Sequence, residues 1–218
     1  MPGQASTMVL GTLGLAFLAV VVAPVWTWTQ HLSTLVHEGG HATVALLNGL
    51  WVRGIKIPRA GDAGTTRDGR GVVSDVLVRM AGYSAPPAAG LALAGAIKRG
   101  WSPLNTLLVG LVVVMVLFFF LDNWFGLWIA VVLGSILAFF VYRAGPVAQK
   151  GAVIALAWFL LLAGLRDAIE LYGIRRGRGG SDADKLQEST HIHAVLWVFA
   201  FIAFALFAVV TGGRWLLQ

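Results

Sequence analysis

The sequence predicts an all-α polytopic membrane protein with about seven transmembrane helices. Of its 218 residues, 58% are hydrophobic and only 12% are charged, and the mean hydropathy is +0.80. A soluble globular domain carries about twice that charged fraction. The hydrophobic residues also cluster into runs of about 20 residues, the length at which a helix crosses a bilayer.

Six to seven such runs, separated by short polar connections, predict the individual spans. The first run is too long for the apolar part of a signal peptide and has no basic segment before it, so we interpret it as a retained span. We treat 1–218 as one transmembrane domain, with a core over about 30–142 and additional helices over 150–211. The predicted spans are 8–25, 30–50, 76–97, 104–121, 124–142, 151–171 and 194–210.

Two of the connections and one span have further local signals. Residues 51–57 alternate apolar with polar or small side chains, and 71–73 could return as a partner, which predicts a short membrane-associated β-hairpin or loop after the second span. Pro86 and Pro87 predict either a broken helix or an ordinary proline kink in the third span, because proline removes backbone donors. The loop 173–192 is basic and rich in glycine, and a short helix can begin within it.

Charge and residue usage narrow the classes of function. The net charge of +6 lies mainly in the connections, so we interpret it as a topology signal and as contact with anionic lipid headgroups, not as nucleic-acid binding. Cysteine is absent, which excludes disulfides and cysteine-ligated metals. A cytoplasmic N-terminus would place nine Lys and Arg in the inside connections against five outside, and we therefore expect that orientation.

The second span contains the sequence His-Glu-Gly-Gly-His at 37–41, which is an H-E-x-x-H pattern. Residues four apart on a helix share a face, so the imidazoles of His37 and His41 can bind one Zn²⁺ with Glu38 beside it. Ionisable groups inside a membrane span are costly and usually functional. We therefore predict His37 and His41 as zinc ligands and Glu38 as the catalytic base.

A catalytic zinc site needs a third protein ligand. We favour Asp122, because it lies on the same side of the membrane as the end of the second span and opens the fifth span. Asp167 is our second choice, although Arg166 could pair with it or with Glu170. The full set of candidates is Asp122, Asp167, Glu170, His191 and His193.

Three ligands and one base would suit peptide hydrolysis. Glu38 would take a proton from a zinc-activated water and pass it to the leaving amine, and Asn123 is a candidate donor to the oxyanion. A transmembrane helical substrate must unwind before attack, and the segment 51–73 could capture it along a strand edge. The expected partners are a membrane-anchored protein or peptide substrate and the lipid bilayer.

The sequence resembles the site-2 protease group of intramembrane zinc metallopeptidases, and within it the compact bacterial M50B-like branch. The segment 37–41 matches the first motif of that group. Residues 81–85 (Ala-Gly-Tyr-Ser-Ala) resemble its small-residue second motif, and 121–123 (Leu-Asp-Asn) resemble its L-D-G motif, with asparagine in place of glycine. Ser-Asp-Ala at 181–183 and Trp197 also resemble features of this branch.

The resemblance covers roughly residues 30–200 and implies a site and a location. It makes Glu38 the catalytic base and places the protein in a bacterial inner membrane. The metal ligands that it implies are His37, His41 and Asp122.

Two other classes of function remain open from the sequence. A catalytically silent relative that acts as a membrane scaffold would look the same, because Glu38 is intact. A metal or small-molecule transporter should place ionisable groups along one path through several spans. The fourth, fifth and seventh spans have almost none, which disfavours a transporter.

Overall fold

The computed structural model describes residues 2–57, 59, 63–68, 71–174 and 180–218; residues 175–179 of the predicted basic loop and parts of the predicted hairpin turn lie outside them. Of the described residues 81% are helical, and a small two-stranded sheet accompanies the helices, as the sequence predicts. The elements are α1 (Pro2–Val21), α2 (Ala23–Leu47), β1 (Val52–Lys56), β2 (Gly64–Arg67), α3 (Val72–Lys98), α4 (Pro103–Phe118), α5 (Trp124–Tyr142), α6 (Pro146–Ile174), α7 (Asp182–Thr190) and α8 (Ala194–Leu216).

The apolar helices identify a membrane protein but do not confirm seven spans. Among the described residues, α5, α6 and α8 are long and apolar enough to cross a bilayer, and α1 with α2 passes the same test as one bent pair. The count is therefore three, or up to four. The helix α4 has 16 residues and is shorter than the roughly 20 that a straight crossing needs.

The first two helices meet at a bend of 99°, with only Val22 between them in an extended conformation. Arg166 of α6 stabilises the bend, because its guanidinium donates to the carbonyl of Val20 and lies 4.4 Å from the ring centroid of Trp26. The same guanidinium pairs with Glu170 at 2.6 Å, one of the two partners that the sequence left open. The bend thus joins α1, α2 and α6 at one corner.

The helix α3 packs against α2, α6 and α8 and lies at the centre of the fold. Of the two alternatives at Pro86 and Pro87, the broken helix is wrong, because α3 continues through both prolines. Both rings are buried, and a Cβ added to Gly164 of α6 would lie 2.4 Å from Cδ of Pro87. Packing against α6 therefore holds the helix together where local sequence favours a break.

The predicted hairpin is present, but its second strand differs from the predicted one. The strands β1 and β2 pair antiparallel, with Ile55 opposite Thr65. The stretch 71–73, which we expected to return as a strand, opens α3 instead. The difference follows from its place in the fold, since Val72 begins the helix that packs against α2.

The turn between α4 and α5 pairs with the other edge of β1. The amide of Ile55 donates to the carbonyl of Phe120 at 2.7 Å, and the amide of Asp122 donates to the carbonyl of Ile55 at 3.0 Å. The side chain of Asn123 continues this pairing, because it accepts from the amide of Ile57 at 2.9 Å and donates to its carbonyl at 2.8 Å. The side chain of Asn123, our candidate oxyanion donor, therefore extends the sheet at the edge of β1.

Candidate metal centre

Three donor atoms from two distant parts of the chain converge on one point. The Nε2 atoms of His37 and His41 are 3.1 Å apart. Oδ2 of Asp182 lies 3.3 Å from the first nitrogen and 3.1 Å from the second. The two histidines come from α2, whereas Asp182 is the first residue of α7.

These separations suit a tetrahedral metal ion. Ligand atoms placed 2.0–2.1 Å from a tetrahedral Zn²⁺ lie about 3.3–3.4 Å from one another. Nδ1 of His41 lies 2.6 Å from the carbonyl oxygen of Val78, which can only accept, so Nδ1 carries the proton. In the neutral ring Nε2 of His41 then presents its lone pair to the other two donors, as a metal ligand must. The donor set, two imidazoles and one carboxylate, therefore fits zinc.

Local structure holds Asp182 at this point. Ser181 caps α7 in a reciprocal capping box with Asp184, which fixes where the helix begins. Burial opposes ionisation of Asp182, but its contacts with His37 and His41 outweigh that effect and hold the pKa of Asp182 well below its usual range. Asp182 is therefore a carboxylate at neutral pH.

Glu38 lies beside the donor atoms and is 3% exposed. Its ligand atom and those of His37 and His41 lie within 4.8 Å of one another. The hydroxyl of Thr65, on β2, lies 2.8 Å from Oε2 of Glu38, to which it donates, and 3.2 Å from the Glu38 carbonyl. A strand of the hairpin thus restrains a buried carboxylate that points to the same place as the metal donors.

Glycines allow α3 to approach α2 closely at the site. A Cβ added to Gly40 would lie 2.5 Å from Cβ of Ala85 and 2.9 Å from the carbonyl oxygen of Ala81. A Cβ added to Gly82 would lie 2.4 Å from Nε2 of His41. Gly40 and Gly82 therefore permit the close contact between α2 and α3 at the site. Next to Gly82, the ring of Tyr83 packs edge-on against His37, with centroids 4.7 Å apart.

Asp122, the favoured third ligand, is not part of this cluster. Its backbone pairs with β1, and its carboxylate lies so close to Gly54 that a Cβ there would be 2.9 Å away. The strands are ordered so that β1 separates Asp122 from β2, which carries Thr65 and touches Glu38. Asp122 is therefore two strand spacings, about 10 Å, from β2. Asp122 is exposed on the far side of the sheet, so the structure does not bring it to the histidines.

The other four candidates also have different surroundings. Asp167 is partly buried and accepts a hydrogen bond of 2.5 Å from Ser33, one helical turn before His37. Glu170 pairs with Arg166. His191 follows α7 as its C-cap, His193 precedes α8 as its N-cap, and both are exposed.

Comparison with known proteins identifies the family. A family model described as peptidase M50B-like matches residues 10–212. The chain belongs to the peptidase M50B-like family. No curated protein and no solved structure was found to match it. Together with the apolar helices, membership indicates a membrane peptidase.

In this M50B-like chain the candidate centre depends on α7, in the part of the sequence that we set apart as additional helices. Sequence reasoning did not name Asp182 as a candidate ligand, because Ser181–Asp184 is typical of a helix N-terminus. One signal was available, since Ser-Asp-Ala at 181–183 already resembled a feature of the M50B-like branch. The two histidines and Glu38 were easier to find, because they are contiguous on one helix.

Proposed function

We propose that this protein is a zinc metalloendopeptidase that hydrolyses peptide bonds of membrane-anchored proteins. The observation that carries the proposal is the convergence of His37, His41 and Asp182 beside the buried carboxylate of Glu38. We assign the first three as zinc ligands and Glu38 as the general base. Asp182 takes the place that we expected Asp122 to fill.

The chain's own residues account for the proton transfers. Zinc, when bound, polarises a peptide carbonyl and acidifies water. The Glu38 carboxylate takes a proton from the attacking water as the water oxygen bonds to the carbonyl carbon, and it passes that proton to the amine nitrogen as the C–N bond breaks. The products are a carboxylic acid and an amine. The hydroxyl of Thr65 keeps the Glu38 carboxylate oriented during both steps.

The hairpin supports presentation of an extended substrate. One edge of β2 pairs with β1, and no strand among the described residues pairs with its other edge. Thr65 on this strand touches Glu38, so a peptide added along the free edge would pass close to the base. Strand addition would satisfy the backbone of a transmembrane segment that has lost its helical hydrogen bonds.

Zinc content and cleavage test the proposal separately. We would purify the full chain in detergent and measure bound zinc and the cleavage of a single-span model substrate with a Gly-Gly pair in its apolar segment. We expect Glu38→Gln to retain about one zinc and to lose cleavage by about 10²–10⁴-fold. Asp182→Asn should lose zinc, whereas the matched variant Asp122→Asn should keep both zinc and cleavage.

The opposite results would change the assignment. Zinc lost from Asp122→Asn and kept by Asp182→Asn would restore Asp122 as the third ligand. Cleavage by Glu38→Gln at the wild-type rate would exclude Glu38 as the base. A zinc-loaded wild-type chain that cleaves no substrate would favour the catalytically silent scaffold.

We also propose a bacterial inner-membrane location with a cytoplasmic N-terminus, from the Lys and Arg asymmetry of the connections. The chain has no cysteine, so single introduced cysteines can be labelled without background. Arg99→Cys should react with an impermeant reagent added outside intact cells, whereas Arg53→Cys should not. Labelling of Arg53→Cys alone would reverse the orientation.

A further inference from the structure

Asp75, in the first turn of α3, lies where three elements meet. Its Oδ2 accepts from Nε of Arg79 at 2.6 Å, and its Oδ1 pairs with Arg67. The hydroxyl of Ser189 lies 3.1 Å from the same Oδ2 and 3.0 Å from the carbonyl oxygen of Lys185, and it can donate to either. Arg67 is the last residue of β2, and Ser189 is in the last turn of α7. One carboxylate therefore joins a strand and a helix to α3.

Each joined element also reaches the candidate metal centre, β2 by a contact with Glu38 and α7 by carrying Asp182. On β2, Thr65 precedes Arg67 by two residues and holds the Glu38 carboxylate. On α7, Asp182 precedes Ser189 by seven residues, so the two side chains lie two turns apart on one face. The helix α7 is thus held at both ends of that face, by the histidines at one end and by Asp75 at the other.

The Asp75 contacts differ from an ordinary surface ion pair. The side chains of Asp75 and Arg67 are 23% and 14% exposed, whereas the pair Arg53–Asp68 on the same hairpin is 64% and 47% exposed. Burial would raise the pKa of Asp75, but hydrogen bonds from Arg79 and Ser189 and the charges of both arginines lower it overall. Exposed pairs contribute little, so Arg53–Asp68 is a matched control.

The apolar packing of α7 limits how far Asp182 would move if the contact between Asp75 and Ser189 were lost. Ala183 and Leu186 are fully buried against side chains of α6 and α8, so α7 stays attached without Asp75. Loss of the Asp75 contact should then loosen the placement of Asp182 without releasing it. The expected change in zinc retention is graded and not complete.

We propose that Asp75 is a positioning residue that aligns both halves of the site, placing Asp182 through Ser189 and α7 and placing Glu38 through Arg67 and β2. This inference rests on the proposed function. It assigns two separable effects to the Asp75 carboxylate, which lies outside the metal centre. The α7 contact governs zinc retention, and the β2 contact governs turnover.

Zinc transfer to a chelator and steady-state cleavage separate the two effects in the full zinc-loaded chain. Asp75→Asn should release zinc about tenfold faster and lower kcat. Ser189→Ala should release zinc about fivefold faster, because only one hydrogen bond is lost. Arg67→Gln should release zinc at the wild-type rate and lower kcat about tenfold with KM unchanged. Asp68→Asn should match the wild type in both measurements.

Several outcomes would overturn the inference. Zinc release from Asp75→Asn at the wild-type rate would do so, as would equal losses in Asp68→Asn. If Asp75→Asn fails to fold, Ser189→Ala and Arg67→Gln still decide, and wild-type behaviour in both would refute the coupling. A wild-type chain that holds no zinc would refute the proposed function and this inference together, whereas unchanged variants refute this inference alone.

Discussion

A single methyl group at Gly82 should abolish tight zinc binding. A Cβ there would lie 2.4 Å from Nε2 of His41 and 2.6 Å from Nε2 of His37, whereas real Cβ atoms essentially never come within 3.0 Å of such atoms. In Gly82→Ala the imidazole of His41 and α3 must therefore separate by at least 0.6 Å, which is the step from 2.4 Å to the limit of 3.0 Å. Metal sites tolerate about 0.2 Å in ligand distances. We expect zinc affinity to fall by about 100-fold.

The assay is competition with a zinc chelator, combined with thermal unfolding of the same sample. Alanine in a helix interior is favoured over glycine by about 1 kcal/mol, so helix propensity does not explain a loss of zinc. Gly110→Ala is the matched control, because the nearest atom to its added Cβ is 3.9 Å away, on Leu137. The control should bind zinc normally and gain roughly 0.5–1 kcal/mol in free energy of unfolding. Wild-type zinc affinity in Gly82→Ala would refute the assignment of these nitrogen atoms as donors.

Three further substitutions test other parts of the structure. Thr65→Val should lower kcat about tenfold with zinc content and KM unchanged, because Glu38 loses a donor, and Thr65→Ser should restore kcat; a change in KM alone would contradict this. Gly164→Ala should lower the free energy of unfolding by about 1–3 kcal/mol, because its Cβ would lie 2.4 Å from Pro87; denaturant unfolding in detergent measures this, and an unchanged midpoint would argue against close packing. His191→Gly should raise the free energy of unfolding by about 1 kcal/mol, because His191 has a φ of 59°. The same unfolding assay measures this change, and a lower midpoint would show that the backbone of His191 is not strained.

Much of the helical framework was predictable, because hydrophobic runs are a local property of the sequence. Each of the seven predicted spans overlaps a helix of the structure, and Ser181 caps the short helix expected in the loop 173–192. The number of bilayer crossings was not predictable in the same way, since only three or four helices among the described residues are long and apolar enough to cross. The bend between α1 and α2 also depends on contacts with Arg166, 140 or more positions later in the chain.

The prolines of α3 show how tertiary packing can override a local preference. Pro86 and Pro87 remove two backbone donors, and the sequence alone leaves open a broken helix or a kinked one. The ring of Pro87 instead fits against Gly164 of α6, and the helix continues. Only the packed structure shows that this close contact exists.

By itself, the sequence determined the part of the site that lies within one helical turn. His37, Glu38 and His41 share a face because of their spacing, and no distant contact is needed to bring them together. The tertiary structure, and not the sequence, places Asp182 beside the histidines and Asp122 at the edge of β1. Backbone hydrogen bonds hold Asp122 at that edge. The short helix α7, far along the chain from the histidines, places Asp182 beside them. Spacing along a chain cannot reveal which of several acids packing will place beside a given pair of histidines.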